Sequence, residues 1–443
     1  MEFFRFGINA PAINIGNIDK NRTKYGNLLI FACFFLYMSS MAAKGVFAAE
    51  VKYIIDMWNL TQAKAQLANT FYFVTYGLVQ VFLSMFMSKI NMRKYLIVTV
   101  PFSALFTALM GLTTGITGIW VFFALAGAFQ AGIYAGCNYI LTTYLPSKLL
   151  TKANKIMNTG YAMGTVIAYL LSAFCIGFDA WSLPYYLIAG MFLVSVITFA
   201  VITTISSRFK HINEILDNKE INGDEKSIDD NDPLFTVENK KKKIIFYAVD
   251  LVMAFLITAL YYSIMNFVTS TLVEVHGVSQ DVSIYVSIIA PIAIIAGPMM
   301  VINACEKNKD FIREGIYFSL ILIPILVALY FLYSLNVFLY LALTVVFVVI
   351  ANGIKAIVIS VMAFKLRKII NAGSYSAISN AVASASAGIS PAVMGYVKDV
   401  AGWGAVYLTT LGITIFIILL MIVIDFFVRK NYKKTHPLSD VNK

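Results

Sequence analysis

Residues 25–49, YGNLLIFACFFLYMSSMAAKGVFAA, form an apolar stretch that contains a single charged residue, Lys44. A helix of about 20 apolar residues spans the hydrocarbon layer of a bilayer, so this stretch is predicted to be a transmembrane helix. A charge at that depth costs about 2.5–3.5 kcal/mol on insertion scales, and such a side chain usually faces a cavity and has a partner. Lys355 lies in a similar stretch in the second half of the chain. The two lysines are therefore the first candidates for a binding site.

The composition of the whole chain is that of an integral membrane protein. Hydrophobic residues make up 60% of the sequence, charged residues make up 13%, and the mean hydropathy is +0.79. These values predict an all-α integral membrane protein. Stretches long enough to span a bilayer predict twelve transmembrane helices, six on each side of a polar interval. Their approximate positions are 25–49, 67–88, 95–115, 118–141, 156–177, 182–206, 244–273, 280–304, 315–334, 336–364, 374–398 and 402–428.

The polar interval divides the chain into two halves. Between Asp217 and Glu238 it is dense in Asp, Glu, Asn and Lys, and such a segment cannot bury enough apolar area to fold. We interpret it as a flexible tether, and a regulatory binding segment is the alternative. The predicted organisation is an N-terminal six-helix bundle at 1–206, a cytoplasmic linker at 207–243, a C-terminal six-helix bundle at 244–430 and a cytoplasmic tail at 431–443.

The basic residues orient the predicted helices. Lys and Arg residues lie on one side of the helix array, with the exceptions of Lys44, Lys52, Lys64, Lys355 and Lys398. The positive-inside rule makes that side the cytoplasm, so both termini are predicted to be cytoplasmic in a multi-pass protein of the plasma membrane. The net charge of +11 therefore needs no nucleic-acid partner. The N-terminal residues show no removable signal peptide.

The two halves also resemble each other in sequence. Residues 178–187, FDAWSLPYYL, correspond to residues 398–408, KDVAGWGAVYL, and each segment lies in the turn between the fifth and sixth predicted helix of its half. Repeated halves in a helical membrane protein predict pseudo-twofold symmetry and alternating access around a site at their interface.

A short turn resembles the signature of the major facilitator superfamily. Residues 84–94, SMFMSKINMRK, retain the basic positions of the pattern Gly-x-x-x-Asp-Arg-x-Gly-Arg-Lys at Lys89, Arg93 and Lys94. The glycine and aspartate positions are occupied by Ser84 and Ser88. The resemblance implies a gating role for Lys89 and Arg93, without the acidic residue that accompanies them in the family.

Within that superfamily the sequence resembles the organophosphate:phosphate antiporters. The similar segments are residues 89–93, KINMR, the Phe-Gln-x-x-Gly…Cys run from Phe129 to Cys137, and the turns at 178–181 and 395–403. The resemblance implies an anion held by basic residues of the first and seventh helices. The Arg-Lys pair of the first helix aligns with Ala43-Lys44, whereas the basic position of the seventh falls on Tyr261. Lys355 in the tenth helix is then expected to supply the second charge.

The candidate substrate-binding residues follow from these positions. Lys44 and Lys355 are expected to grip one small anion, and because lysine is a point charge, carboxylates fit as well as phosphates. The alternative is that both lysines extend to the membrane surfaces. Hydroxyl and amide groups are expected to line the cavity, with Tyr261, Tyr134, Tyr161 and Gln130 as the preferred candidates and Tyr37, Tyr72, Tyr76 and Tyr262 as further ones.

The sequence argues against an enzyme. It contains no Ser/His/Asp set, no metal-ligand spacing of Cys or His, and no Gly-rich phosphate loop for ATP. No cofactor is expected, and a solute or ion gradient must supply the energy.

Three functions remain open from the sequence. The leading one is a monomeric secondary active transporter that moves a small organic anion, an organophosphate or a carboxylate, with exchange as the favoured mode. The second is a proton-coupled transporter of neutral or lipophilic solutes that uses Glu50 or Asp250, two acids in or beside predicted helices. The third is a membrane sensor built on a transporter scaffold.

Overall fold

A computed structural model describes residues 15–86, 89–145, 147–206, 240–308, 311–361 and 372–435, and most of them are helical. The predicted linker lies outside the described residues as far as position 239, and so does the tail from 436 onward. The helices are α1 Ile15–Met57, α2 Gln62–Phe86, α3 Met92–Met110, α4 Ile116–Gln130, α5 Ile133–Tyr144, α6 Ser147–Ile176, α7 Leu183–Ser206, α8 Lys240–Met265, α9 Val268–His276, α10 Gln280–Ser287, α11 Ile289–Asn308, α12 Phe311–Leu332, α13 Val337–Ala356 and α14 Ala372–Thr435.

Ten helical stretches of the described chain are long and apolar enough to cross a membrane. One of them, Ile378–Phe426, contains a break at Gly402 and corresponds to two predicted crossings. Helix α2 is not among the ten, because polar residues such as Gln66, Asn69 and Gln80 interrupt its apolar sequence. With α2 and the divided stretch, the described helices are consistent with twelve crossings. The all-α membrane fold predicted from the sequence is confirmed.

The turns repeat the same backbone geometry in the two halves. Within the described residues, positive φ angles occur at Asn59 (47°) and Asp179 (56°) in the first half, and at Gly277 (64°) and Gly402 (79°) in the second. Asn59 and Gly277 follow the first helical crossing of each half, and Asp179 and Gly402 precede the sixth. Turns at corresponding positions of the two halves thus share the same backbone geometry, as the pseudo-twofold symmetry requires.

The two repeated tryptophans also take corresponding positions. The ring of Trp181 lies 5.8 Å from that of Trp58 at the end of α1, in an edge-to-face arrangement. The ring of Trp403 lies 5.9 Å from that of Phe267, between α8 and α9, with the same type of geometry. Each tryptophan therefore fixes the sixth crossing of its half against the first.

We call the face of the molecule at which α1 ends and α2 begins the distal face, and the opposite face the proximal face. The two halves meet along α2 and α14 on the distal side. A Cβ atom on Gly388 would lie 2.9 Å from the Cβ of Phe73, and one on Gly395 would lie 2.9 Å from the backbone nitrogen of Ala63. The hydroxyl of Thr70 donates a hydrogen bond of 2.8 Å to the carbonyl oxygen of Gly388. The small residues of α14 thus let its backbone pack directly on α2.

Close contacts of the same kind set the distance between helices inside each half. A Cβ atom on Gly164 in α6 would overlap the carbonyl oxygen of Met38 in α1. A Cβ atom on Gly297 in α11 would overlap the carbonyl oxygen of Val349 in α13. These contacts hold α1 and α13, the helices that carry Lys44 and Lys355, against their neighbours.

We expect Gly164→Ala and Gly297→Ala to lower the stability of the protein by about 1–3 kcal/mol, because backbone atoms must move to accommodate each methyl group. Thermal unfolding of the purified protein in detergent measures the effect. Gly190→Ala is the matched control, since nothing lies within 4 Å of a Cβ atom at that helical position. A Gly164→Ala variant as stable as Gly190→Ala would contradict the role of the contact.

Candidate substrate site between the two bundles

Lys44 extends from α1 toward the second half of the molecule. Its Nζ atom donates a hydrogen bond of 3.3 Å to the hydroxyl of Tyr262 in α8. The same atom lies 4.5 Å from the ring centroid of Phe73 in α2 and 5.3 Å from that of Tyr161 in α6. Lys44 is therefore surrounded by aromatic rings from both halves of the chain.

Lys355 reaches the aromatic rings around Lys44 from α13 of the second bundle. It lies in the last turn of α13, directly before a π-helical turn at Ile357–Val361, and such turns are frequent at functional sites. Its Nζ atom is 4.6 Å from the ring centroid of Tyr261 and 5.6 Å from that of Tyr262.

The ring of Tyr262 is close to both ammonium groups. The Nζ atoms of Lys44 and Lys355 are 5.5 and 5.6 Å from the centroid of its ring, so they are separated by at most about 11 Å. Both ammonium groups therefore lie near one tyrosine of the seventh crossing, and their joint binding of a substrate stays a prediction.

Neither lysine forms an ion pair with any residue that the structure describes. Contact with an aromatic ring contributes about 0.5–2 kcal/mol, which is less than the cost of placing a lysine at this depth. Two unit charges 11 Å apart repel by about 1.5 kcal/mol at an effective dielectric constant of about 20, and more if they are closer. A bound anion would remove both penalties.

Gln130 and Tyr134 lie beside α1, on the proximal side of the two lysines. The side-chain oxygen of Gln130 accepts hydrogen bonds from Ser40, at 3.2 Å, and from Tyr72, at 2.8 Å. Ser40 is one helical turn before Lys44, so Gln130 borders the lysine site without touching Nζ. The ring of Tyr134 packs against that of Tyr37 at 4.9 Å. The amide of Gln130 therefore holds the hydroxyls of Ser40 and Tyr72 one helical turn from Lys44.

The two acidic candidates lie elsewhere. Glu50 is fully buried inside the first half, where its carboxylate faces the hydroxyls of Ser172 and Tyr185. Asp250 is fully buried in α8. Neither carboxylate makes a hydrogen bond of ordinary geometry with a described residue. The side chains of residues 240–243, at the start of α8, lie outside the described part of the chain.

The basic pair of the α2–α3 turn is also remote from the lysine site. Lys89 is exposed, and Arg93 donates a hydrogen bond to the hydroxyl of Thr204 in α7. Asn91 caps α3 by accepting a hydrogen bond of 3.1 Å from the backbone of Lys94. The gating role predicted for Lys89 and Arg93 stays a prediction.

Phe73 is the site residue that the sequence did not indicate. It belongs to an apolar stretch of α2 and has no polar group that would single it out. Tyr262 is one of several equivalent tyrosines in the sequence, and its contact with both lysines separates it from the others.

We expect Gln130→Leu to lower the melting temperature, because it leaves the buried hydroxyls of Ser40 and Tyr72 without their acceptor, at about 1–3 kcal/mol for each unpaired group. Thermal unfolding of the purified protein measures the change. Tyr72→Phe should cost much less in the Gln130→Leu background than in the wild type. Equal costs in both backgrounds would show that the hydrogen bond makes no contribution.

Comparisons with known proteins agree with this architecture. Residues 29–368 match the Major Facilitator Superfamily. No curated protein shows significant similarity to the sequence.

Two solved structures are similar over almost their whole length. A bacterial homologue of the human lysosomal transporter Spinster, in an inward-facing and occupied conformation, superposes with a TM-score of 0.61 at 15% identity and covers 93% of this chain and 97% of its own. The nucleoside transporter NupG superposes with a TM-score of 0.66 at 13% identity and covers 89% of this chain and 99% of its own. At such identities the likeness concerns the fold. The match to residues 29–368 shows that the chain belongs to the major facilitator superfamily, a family of membrane transporters and not of enzymes.

Proposed function

We propose that the protein is a secondary active transporter that moves a small organic anion, an organophosphate or a carboxylate, by alternating access. The observation that supports this proposal is the convergence of Lys44 and Lys355 on Tyr262, with no carboxylate partner among the described residues. One lysine comes from each bundle. An anion held by both connects the bundles, as alternating access around an interface site requires.

The chemistry of the site defines the kind of anion. Lysine offers a point charge with rotatable donors, whereas arginine offers a planar fork that selects phosphate or carboxylate geometry. A site with two lysines and several tyrosine hydroxyls binds either group and discriminates mainly by size. Tyr261 stands where the organophosphate:phosphate antiporters carry a basic residue, and Lys355 lies 4.6 Å from its ring. This arrangement supports a relationship to that family in which the second cation has moved to the tenth crossing.

Exchange is the transport mode that this charge distribution favours. In the empty carrier the two ammonium groups repel each other, and reorientation takes place without relief of that repulsion. A bound anion offsets it, so the loaded carrier reorients faster than the empty one. Fast loaded and slow empty reorientation gives exchange of one anion for another.

Proton coupling is the second candidate, and the buried carboxylates favour it. Glu50 and Asp250 are fully buried without ordinary hydrogen bonds to described residues, a state that suits a protonated acid in a membrane interior. Glu50 lies on α1, the helix of Lys44, and Asp250 lies on α8, the helix of Tyr262. In this alternative a proton on one of the two acids moves with the substrate.

We further propose a monomer in the plasma membrane, with the distal face outside and both termini in the cytoplasm. The distribution of Lys and Arg supports this orientation. The domain boundaries and the tether at 207–243 remain part of the same proposal.

We expect Lys44→Gln or Lys355→Gln to reduce anion uptake at least about tenfold, because removing one partner of a buried charge interaction costs about 2–5 kcal/mol. Uptake is measured in reconstituted vesicles with labelled inorganic phosphate, a sugar phosphate and a dicarboxylate. The Lys→Arg variants should retain more uptake than the Lys→Gln variants. Lys64→Gln is the control, because Lys64 is an exposed lysine away from the site.

Normal uptake by the double Lys→Gln variant at normal expression would contradict the role of the two charges. If the wild type moves no solute of the panel while it binds one, the sensor interpretation replaces transport.

The transport mode has its own test. Vesicles preloaded with unlabelled anion should take up the labelled anion several times faster than empty vesicles, and an imposed pH gradient alone should drive little uptake. Uptake that follows the pH gradient without internal anion, and that Glu50→Gln or Asp250→Asn abolishes, would replace exchange by proton symport.

A further inference from the structure

The interior of the first bundle holds a group of buried oxygen atoms that take no part in the lysine site. Glu50 of α1, Ser172 of α6 and Tyr185 of α7 are fully buried, and the two hydroxyls lie next to the carboxylate. Both carboxylate oxygens and both hydroxyls lack a hydrogen bond of ordinary geometry with a described residue. Three helices thus bring four oxygens to one place, and we call these three residues the Glu50 cluster.

The carboxylate of this cluster needs a positive partner. An ionised carboxylate away from water is very costly unless it is paired or binds an ion. Glu50 forms no ion pair with any residue that the structure describes. A protonated glutamic acid would itself donate a hydrogen bond, yet neither carboxylate oxygen makes one of ordinary geometry with a described group. The arrangement is that of ligands around a cation.

The second bundle solves the corresponding packing problem with hydroxyl groups alone. Tyr185 and Tyr407 each lie four residues after the repeated tryptophan of their half. Tyr407 is also buried, and its hydroxyl lies next to those of Thr271 and Tyr340. A tyrosine at this position therefore packs inside a bundle with neutral neighbours.

The acid itself has no counterpart in the second bundle. Glu50 lies nine residues before the turn at Asn59, and the residue nine positions before the corresponding turn at Gly277 is Val268. Val268 is buried as well. Since a valine suffices at the equivalent position, the fold does not require a carboxylate there, and Glu50 adds a property that only the first bundle has.

The composition and packing of the cluster indicate which cation fits. Hard cations bind carboxylate and hydroxyl oxygens, and one carboxylate balances one unit of positive charge. Among the described residues there is no group of three or more His, Cys, Asp or Glu, the kind of site that divalent metals use. A Cβ atom on Gly45 would lie 2.8 Å from the Cβ of Ala168, so α1 and α6 touch beside the cluster. Such close helices leave room for a small monovalent ion, Na⁺.

A second acid marks a route from the distal face to the cluster. Tyr53, three residues after Glu50 on α1, is partly exposed and close to both Glu50 and Asp179. Asp179 is exposed in the turn between α6 and α7. Its negative charge raises the local concentration of cations at this surface. An ion can therefore approach Glu50 within the first bundle, away from the interface between the bundles.

We propose that Glu50, Ser172 and Tyr185 form a Na⁺-binding site inside the first bundle. The proposal goes beyond the proposed function, because it gives the protein a second ligand that is independent of the transported anion. At Glu50 the sodium ion takes the place of the proton considered in the second candidate function. Lys44 precedes Glu50 by six residues on α1, so the two sites are about 9 Å apart along one helix.

The test measures Na⁺ binding to the purified full-length protein without an organic anion. Thermal unfolding is followed in NaCl, KCl and choline chloride at one pH and one ionic strength. A ligand that binds only the folded state stabilises it, so NaCl should raise the melting temperature by at least about 2 °C relative to the other two salts. Binding of radioactive sodium should saturate at one ion per chain.

Variants assign the response to the cluster. Glu50→Gln should abolish the Na⁺-dependent shift, and Ser172→Ala should weaken Na⁺ binding about tenfold, because one polar contact to a charged group is lost. Asp250→Asn and Ser103→Ala are the matched controls. They remove another fully buried acid and another fully buried hydroxyl without a described partner, and both should keep the shift. Each variant is compared with itself in choline chloride, so a lower basal stability does not affect the result.

Three results would overturn the proposal. The first is equal stability of the wild type in NaCl and choline chloride, or equal stabilisation by KCl. The second is a Na⁺-dependent shift that persists in Glu50→Gln. The third is a stability that depends on pH through Glu50 and is unaffected by Na⁺, because the partner of the carboxylate would then be a proton. Anion uptake and its dependence on Lys44 and Lys355 are measured separately, so failure of the sodium site leaves the proposed function untouched.

Discussion

Two positive charges inside a membrane protein, without a carboxylate partner among the residues that the structure describes, are the constraint on which the site depends. The ammonium groups of Lys44 and Lys355 lie within about 11 Å of each other and contact aromatic rings. Rings lower the cost of burying these charges and do not cancel it. The anion that we propose as substrate would offset these charges. The tyrosine hydroxyls, the close helix contacts at Gly164 and Gly297, and the convergence of both bundles on Tyr262 all serve to keep this arrangement in place.

The fold could be read from the sequence, and the site could be read in part. Hydropathy locates the helices because a bilayer demands long apolar segments, and the rarity of charge inside them singles out Lys44 and Lys355. Sequence does not give the rotation of one helix against another, so it could not show that both lysines meet at Tyr262. Phe73 gives no signal at all, because an aromatic residue beside a cation looks like any other aromatic residue in a membrane helix.

The acids inside the membrane show the same limit: the sequence reveals that they are buried charges but not where they lie relative to the site. Glu50 and Asp250 are as conspicuous in the sequence as the lysines, yet the structure buries Glu50 among hydroxyls inside the first bundle, away from the lysine site. A buried carboxylate is costly wherever it lies in the membrane, so its presence indicates a function without indicating the place.

Lys52 and Lys398 are informative in the sequence for another reason, because they lie on the side of the membrane that the positive-inside rule disfavours. Basic residues on the disfavoured side of a membrane protein need local partners, and Glu274 contacts both.

The ion pair between Lys52 and Glu274 joins the same two crossings as the contact between Lys44 and Tyr262. Lys44 and Lys52 are two turns apart on α1, which separates them by about 12 Å along the helix axis. Their partners, Tyr262 and Glu274, lie on the successive helices α8 and α9, which form the corresponding crossing of the second bundle. The first crossing of one bundle is thus tied to the first crossing of the other at two depths. A movement that separates them at the distal face also acts on the bond between Lys44 and Tyr262. The proposed anion, as the partner of Lys44 in place of Tyr262, would remove one of these two contacts. Binding and opening would then be coupled through the same pair of helices, without a longer pathway between the site and the surface.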